Sequence, residues 1–210
     1  RGLSRILDLW SDIIAAMPDA TLVISTYVAF PCNDDERRIQ ARIAQLNNDK
    51  ECIRHLGQLN HEKLYAEMGA AEYWLYPTDW PETSCITAME MLMSGVICLY
   101  YPVAGLTDTM GGCGIQIAPG TEVDALVNIV KHGETEQAKQ REQGRAYAES
   151  CGWATRAQQW NKLLHDLRVA IVNTLPYHYE MFGYVLHHFA KKGRNGCNGC
   201  NGCNGCNGCN

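Results

Sequence analysis

The 210-residue sequence has no excess of positive charge, no apolar run of membrane-spanning length, and no closely paired cysteines before its last 18 residues. With a net charge of -5 it lacks the basic footprint that a nucleic-acid surface needs. Its one basic cluster, His187, His188, Lys191, Lys192 and Arg194, reads as a solvated helix terminus. The uncharged run MLMSGVICLYYPVAGL (91–106) falls short of the ~20 residues a spanning helix needs, and Gly95, Pro102 and Gly105 break it. A buried helix end followed by a buried strand accounts for it, so no transmembrane segment is expected. No signal-peptide pattern opens the chain, and a start at Arg1 rather than Met suggests a fragment, a trimmed sequence or an incomplete gene model. Cys32, Cys52, Cys85, Cys98, Cys113 and Cys151 stand singly, as reduced core residues do. Together these point to a cytoplasmic protein, peripheral to a membrane if it meets one at all.

What is present suits a folded α/β protein. The apolar fraction of 46% and charged fraction of 20% permit a sizeable core. SRILDLWSDIIAAM (4–17) carries apolar residues at helical spacing and ends at Pro18. TLVISTYV (21–28) reads as a strand buried on both faces, and NDDERRIQARIAQL (33–46) as a helix with acids in its first turn. Strands over 53–57, 72–77, 96–101 and 114–118 then alternate with helices over 60–69, 84–95 and 122–132. Asn60 is the expected N-cap of the first of these helices, and Gly69 is expected just past its end. This alternation predicts right-handed βαβ units in a doubly wound parallel sheet, a Rossmann-like domain over 1–192 with C-terminal helices. From 193 to 210 an NGC repeat cannot bury a core and is expected to be disordered. Its CxxC ladder lacks the folded spacer of a zinc module, so repeat expansion explains it better than a metal site.

In open parallel sheets ligands sit beyond the carboxyl ends of strands, where the next helix offers unpaired N–H groups. WPETSCITAMEM (80–91) occupies such a junction. The amides of Thr83, Ser84 and Cys85, a hydroxyl of Thr83 or Ser84 and the positive helix end suit a phosphate. Glu82 stands before the helix, and Glu90 about two turns along, bordering a stripe of Ile86, Met89 and Met93 taken as buried. A carboxylate there needs partners, and ribose hydroxyls qualify. The plainer readings are a solvated surface residue for Glu90 and a complement to the helix dipole for Glu82. Glu134 and Glu142 repeat the spacing in a polar helical run and read as surface.

The block PTDWPETSCITAMEMLMSGVICLYYPVAGLTDT resembles the donor-nucleotide half of retaining GT-B glycosyltransferases, the "group 1" family, whose hallmark is a Glu-x7-Glu motif between a strand end and a helix. RGLSRILDLWSDIIAAMPDATLVI and HLGQLNHEKLYAEMGAAEYWLYP resemble the segments preceding the motif. The resemblance implies that Glu90 binds the ribose of a nucleotide such as UDP or GDP, and that Glu82 lies beside the transferred sugar. It gives the Thr83, Ser84 and Cys85 amides to the diphosphate, and places Gly57, Gln58 and Leu59 by the nucleobase. Arg1 falls where the family has a lysine that neutralises leaving-group charge. Gly105 and Leu106 match a Gly-rich turn, with Asp108 in place of a frequent Glu. No metal or other cofactor is implied, since amides and a cation hold the diphosphate.

The resemblance also implies absences. The amino-terminal acceptor domain and the upstream arginine of the family's RxxxxKG segment are missing, and PYHYEMFGYVLHHF (176–189) resembles the helix that crosses back onto that domain. The expected activity is sugar transfer from a nucleoside-diphosphate sugar to a glycan, lipid or protein acceptor, with a further domain supplied by the same or a separate chain. The alternatives are a non-catalytic nucleotide-sugar-binding subunit and, more weakly, a phosphorylase- or epimerase-like relative. The absence of lysine from 72–118 disfavours a pyridoxal-phosphate phosphorylase.

Overall fold

The computed structural model describes residues 2–26, 34–47 and 52–174. Arg1, the expected interface segment 176–189, the boundary at 192–193 and the NGC tail lie outside the described residues. The chain divides into two compact units after Gly152. The first holds α1 (Leu3–Ala16), β1 (Leu22–Ile24), α2 (Asp34–Leu46), β2 (Ile53–His55), α3 (His61–Ala70), β3 (Tyr73–Tyr76), α4 (Ile86–Met93), β4 (Ile97–Tyr100), α5 (Leu106–Met110), β5 (Ile115–Gln116), α6 (Glu122–Lys131) and α7 (Glu134–Ser150). The second contains α8 (Trp153–Thr174), along which Trp153, Trp160, Leu163, Leu164 and Leu167 are exposed.

Among the described residues all strand pairing is parallel. Hydrogen bonds divide the strands into a pair, β1–β2, and a trio, β3–β4–β5. One apolar cluster nevertheless runs under both, joining Ile24 and Ile53 to Ile97 and Leu99. β4 shows why the arrangement is doubly wound. Its alternate residues Ile97 and Leu99, with Tyr101 beyond them, face Leu7, Trp10 and Ile13 of α1 and Leu126 and Ile129 of α6. Cys98 and Tyr100 face the opposite layer, with Ala88 and Leu92 of α4, Met110 of α5 and Ala148 of α7. Side chains alternate across a strand, so a strand clothed by helices on both faces must be apolar at every position, as β4 is. That double burial was expected of the first strand, but Val23 of β1 is 39% exposed.

Local signals explain the helix ends. Asn60 caps α3, its side-chain oxygen accepting from the Lys63 amide at 2.9 Å. Gly69 lies within α3, which runs to Ala70, rather than past its end. α4 stops at Gly95, whose φ of 75° suits a residue without a Cβ. Two arginines of α7 then hold the turn that follows α4: Arg141 Nη1 donates to Gly95 O at 2.9 Å, and Arg145 Nη2 to Ser94 O at 3.2 Å. The helix bearing Glu90 is thus anchored at its C-terminal end from a neighbouring element. Among the described residues no helix is long and apolar enough to cross a membrane.

Candidate functional site

β3 ends at Tyr76, and the chain continues through buried Pro77 and Thr78 into the loop that precedes α4. Thr78 Oγ1 accepts from the Trp80 amide at 3.1 Å, which tightens the turn. Glu82, half-buried, receives a hydrogen bond from the Tyr76 phenol at 2.8 Å, and the Tyr76 ring stacks on Trp74 with centroids 4.5 Å apart. A strand residue packed against the core therefore holds the loop carboxylate.

The loop after β4 closes on the same place. The Gly105 amide donates to Glu82 O at 2.8 Å. A Cβ on Gly105 would lie 2.4 Å from Thr83 O and 2.9 Å from Glu82 O, so this approach requires glycine. Thr109 adds a second tie, its hydroxyl donating to Gly105 O at 2.9 Å and accepting from the Cys85 amide at 3.5 Å. Two loops at the carboxyl edge of the sheet are thereby joined into one platform.

The helix begins at Ile86 rather than at residue 84, so Thr83 and Ser84 belong to the loop and Cys85 is the N-cap residue. The three expected phosphate amides consequently differ. The Cys85 amide is directed at Thr109, whereas Thr83 and Ser84 are exposed with no hydrogen bond to any described residue. The buried stripe of α4 also differs from the expected one. Cys85, Ala88 and Leu92 are buried, while Ile86 is 73% and Met93 45% exposed. Cys85, Ala88 and Leu92 pack toward Cys98 and Tyr100 of β4, and Ile86 and Met93 lie on the other face. Glu90 therefore shares its face with exposed residues, and its partial burial has another source. Tyr65 of α3 donates its phenol to Glu90 Oε1 at 3.1 Å. That hydrogen bond, and then the carboxylate's charge, raise the Tyr65 phenol above its ordinary range.

Gly57, Gln58 and Leu59 form the turn from β2 to α3. Gly57 O accepts from the Thr26 amide at 2.9 Å and from Ser25 Oγ at 3.1 Å, which ties the ends of β1 and β2 together. No hydrogen bond joins these three residues to Glu82 or Glu90 among the described residues; the link runs through α3, which begins two residues after Leu59. Arg1 lies outside the described residues, but its neighbour Gly2 abuts the end of β3, with a Cβ there 3.1 Å from Pro77 O. The start of α1 thus sits at the carboxyl edge beside the Glu82 loop. Glu134 and Glu142 are both exposed on α7. Among the described residues no three His, Cys, Asp or Glu side chains converge as a metal site would require.

One cluster at this edge was not foreseen. Glu122, the first residue of α6, is 1% exposed; it accepts from Arg5 Nε at 2.5 Å and, more closely still, from the Tyr101 phenol. Burial pushes the Glu122 carboxyl up, but hydrogen bonds from Tyr101, the backbone and Arg5, with the Arg5 charge, hold it below its ordinary value. Burial, then the Glu122 hydrogen bond, push the Tyr101 phenol up to about 12. An acid opening a helix is explained by the dipole alone, so nothing in the sequence marked Glu122 as buried or paired it with an arginine 117 residues away.

No family model matches the sequence, and no curated protein matches it either. Solved structures do. The chain superposes on an α,α-trehalose 6-phosphate synthase from Burkholderia multivorans with a TM-score of 0.66 at 15% identity, covering 81% of this chain and 41% of that one. A sucrose-phosphate synthase from Thermosynechococcus elongatus gives 0.59 at 23% identity, covering 78% and 42%. Anabaena HepE, in complex with UDP and glucose, gives 0.57 at 18% identity, covering 73% and 44%. The chain has the fold of one half of a GT-B glycosyltransferase. It spans about two-fifths of the length of these neighbours. At such identities the likeness is one of fold, and any activity must be argued from the residues.

Proposed function

We propose that this chain is the nucleotide-sugar-binding half of a retaining glycosyltransferase, and that its donor site is the platform formed by the loops after β3 and β4. The observation that carries the reading is the joint placement of Glu82 and Glu90 on one strand–loop–helix junction, each carboxylate held by a tyrosine. Glu90 accepts hydrogen bonds from the ribose hydroxyls. The Thr83 and Ser84 amides, ahead of the positive end of α4, hold the diphosphate, with Cys85 anchoring the loop to Thr109. Glu82 accepts from hydroxyls of the transferred sugar. Arg1, one residue before Gly2, offsets the negative charge that develops as the nucleoside diphosphate departs. Gly57, Gln58 and Leu59 line the base. The acceptor, a glycan, lipid or protein, is held by a domain beyond this chain.

A non-catalytic donor-binding subunit is the second reading, favoured by the span of about two-fifths of the neighbours. Isothermal titration with UDP, GDP and ADP tests what the two readings share. One nucleotide is expected to bind, and Glu90→Ala to weaken it at least about tenfold through loss of charge-assisted hydrogen bonds. Unchanged affinity in that variant would refute the ribose assignment. Sugar transfer from the matching donor after adding an amino-terminal GT-B domain, with none detected from the chain alone, separates the transferase from the passive subunit.

A further inference from the structure

The Tyr65 phenol is 3.1 Å from Glu90 Oε1, and Glu90 Oε2 has no partner among the described residues. From this geometry we infer that Tyr65 is the positioning residue that sets Glu90 for a ribose and gives the site its preference for ribose over 2′-deoxyribose. The inference rests on the donor-site reading of Glu90 given above. A glutamate on a helix surface has three side-chain torsions and samples several rotamers. A phenol facing a carboxylate can only donate to it, so the bond ties down one oxygen and leaves the other directed away from the tyrosine. A carboxylate fixed in this way accepts from a vicinal diol without losing side-chain freedom at the moment of binding.

Tyr65 is well placed for this and poorly placed for a role in the core. It lies on α3, just beyond the Gly57–Leu59 turn, and is 46% exposed. The buried residue of α3 is Met68. The Tyr65 ring is tilted against His61 with centroids 5.9 Å apart, a contact that limits ring motion without burying the phenol. The hydroxyl therefore contributes little to folding, and its loss should be read out at the ligand.

The test uses the full chain with UDP and dUDP, or with GDP and dGDP or ADP and dADP if the base differs. Wild type, Tyr65→Phe, Glu90→Ala and the double variant are titrated and melted in parallel. Tyr65→Phe should weaken the ribonucleotide about fivefold and the deoxynucleotide less than twofold, with an unchanged melting temperature. The double variant should bind no more weakly than Glu90→Ala, because the phenol acts only through the carboxylate. If Tyr65→Phe weakens both nucleotides equally, or neither, while Glu90→Ala loses affinity, the positioning role is wrong and the ribose assignment stands. If Glu90→Ala binds as wild type, or no nucleotide binds at all, the donor-site reading falls and takes this inference with it.

Discussion

Gly105→Ala is expected to destabilise the first unit by about 2–3 kcal/mol and to abolish the platform on which Glu82 stands. The added methyl would sit 2.4 Å from Thr83 O and 2.9 Å from Glu82 O, and both are main-chain atoms that cannot rotate aside. Relief requires the two loops to part, which breaks the 2.8 Å hydrogen bond from the Gly105 amide to Glu82 O. It also strains the Thr109 bridge, since that hydroxyl bonds Gly105 O and the Cys85 amide together. The φ of Gly105 is -70°, an ordinary value, so the expected cost is steric and owes nothing to backbone preference. Gly69→Ala is the matched control. It lies inside α3 with open space around its Cβ position, so it should leave stability unchanged or raise it by about 0.5–1 kcal/mol. Urea unfolding of the two variants, with intrinsic tryptophan fluorescence as the signal, compares them. Equal stabilities would mean that the loops after β3 and β4 are not packed as described.

The contrast between these glycines bears on how much the sequence reveals. The alternation of helix and strand was legible because long periodic segments such as α1 carry their own signal, and Leu7, Trp10 and Ile13 are buried at the expected spacing. Asn60 was legible because capping is local chemistry between residues three apart. The burial of α4 was not, because it depends on how near the neighbouring elements come. Cys85, Ala88 and Leu92 meet the Cys98–Tyr100 face of β4, and that turns Ile86 and Met93 outward. α5 escaped notice because five residues are too few to show a period. At the site, the strand–loop–helix placement of Glu82 and Glu90 could be read from the order of elements. The residues that hold them could not: Tyr65 is 25 positions from Glu90, and only the packing of α3 beside α4 brings it there. Gly105 was recognised by resemblance, but its reason, a main-chain contact with Thr83, belongs to tertiary structure.

The same limit applies to the Arg5–Glu122–Tyr101 cluster, for which a second large effect is expected. Glu122→Ala should cost about 2–3 kcal/mol at neutral pH, because it removes a buried side chain and leaves the Tyr101 phenol without its acceptor. Glu122→Gln keeps the shape and one acceptor oxygen but loses the charge, and should cost about 1–2 kcal/mol. The pH dependence distinguishes the two contributions. The folded carboxyl is held below its ordinary value of 4.5, so its charge stabilises the fold fully above that value. This part is lost as the pH falls below 4.5 toward the lower folded value, since the unfolded state takes up the proton before the folded one does. The stability gap between wild type and Glu122→Gln should accordingly narrow on acidification, while the packing part of the Glu122→Ala loss persists. Denaturant unfolding of the three proteins at pH 7, 5 and 3.5 measures both gaps. A wild-type to Gln gap that stays constant across that range would show that the charge adds nothing, and that the cluster holds α1 against α6 by shape and neutral hydrogen bonding alone. Either result bears on the site, because Gly2, the N-cap residue of α1, lies against Pro77 just after β3. Whatever fixes the first turn of α1 therefore fixes where the chain enters the edge on which Glu82 stands.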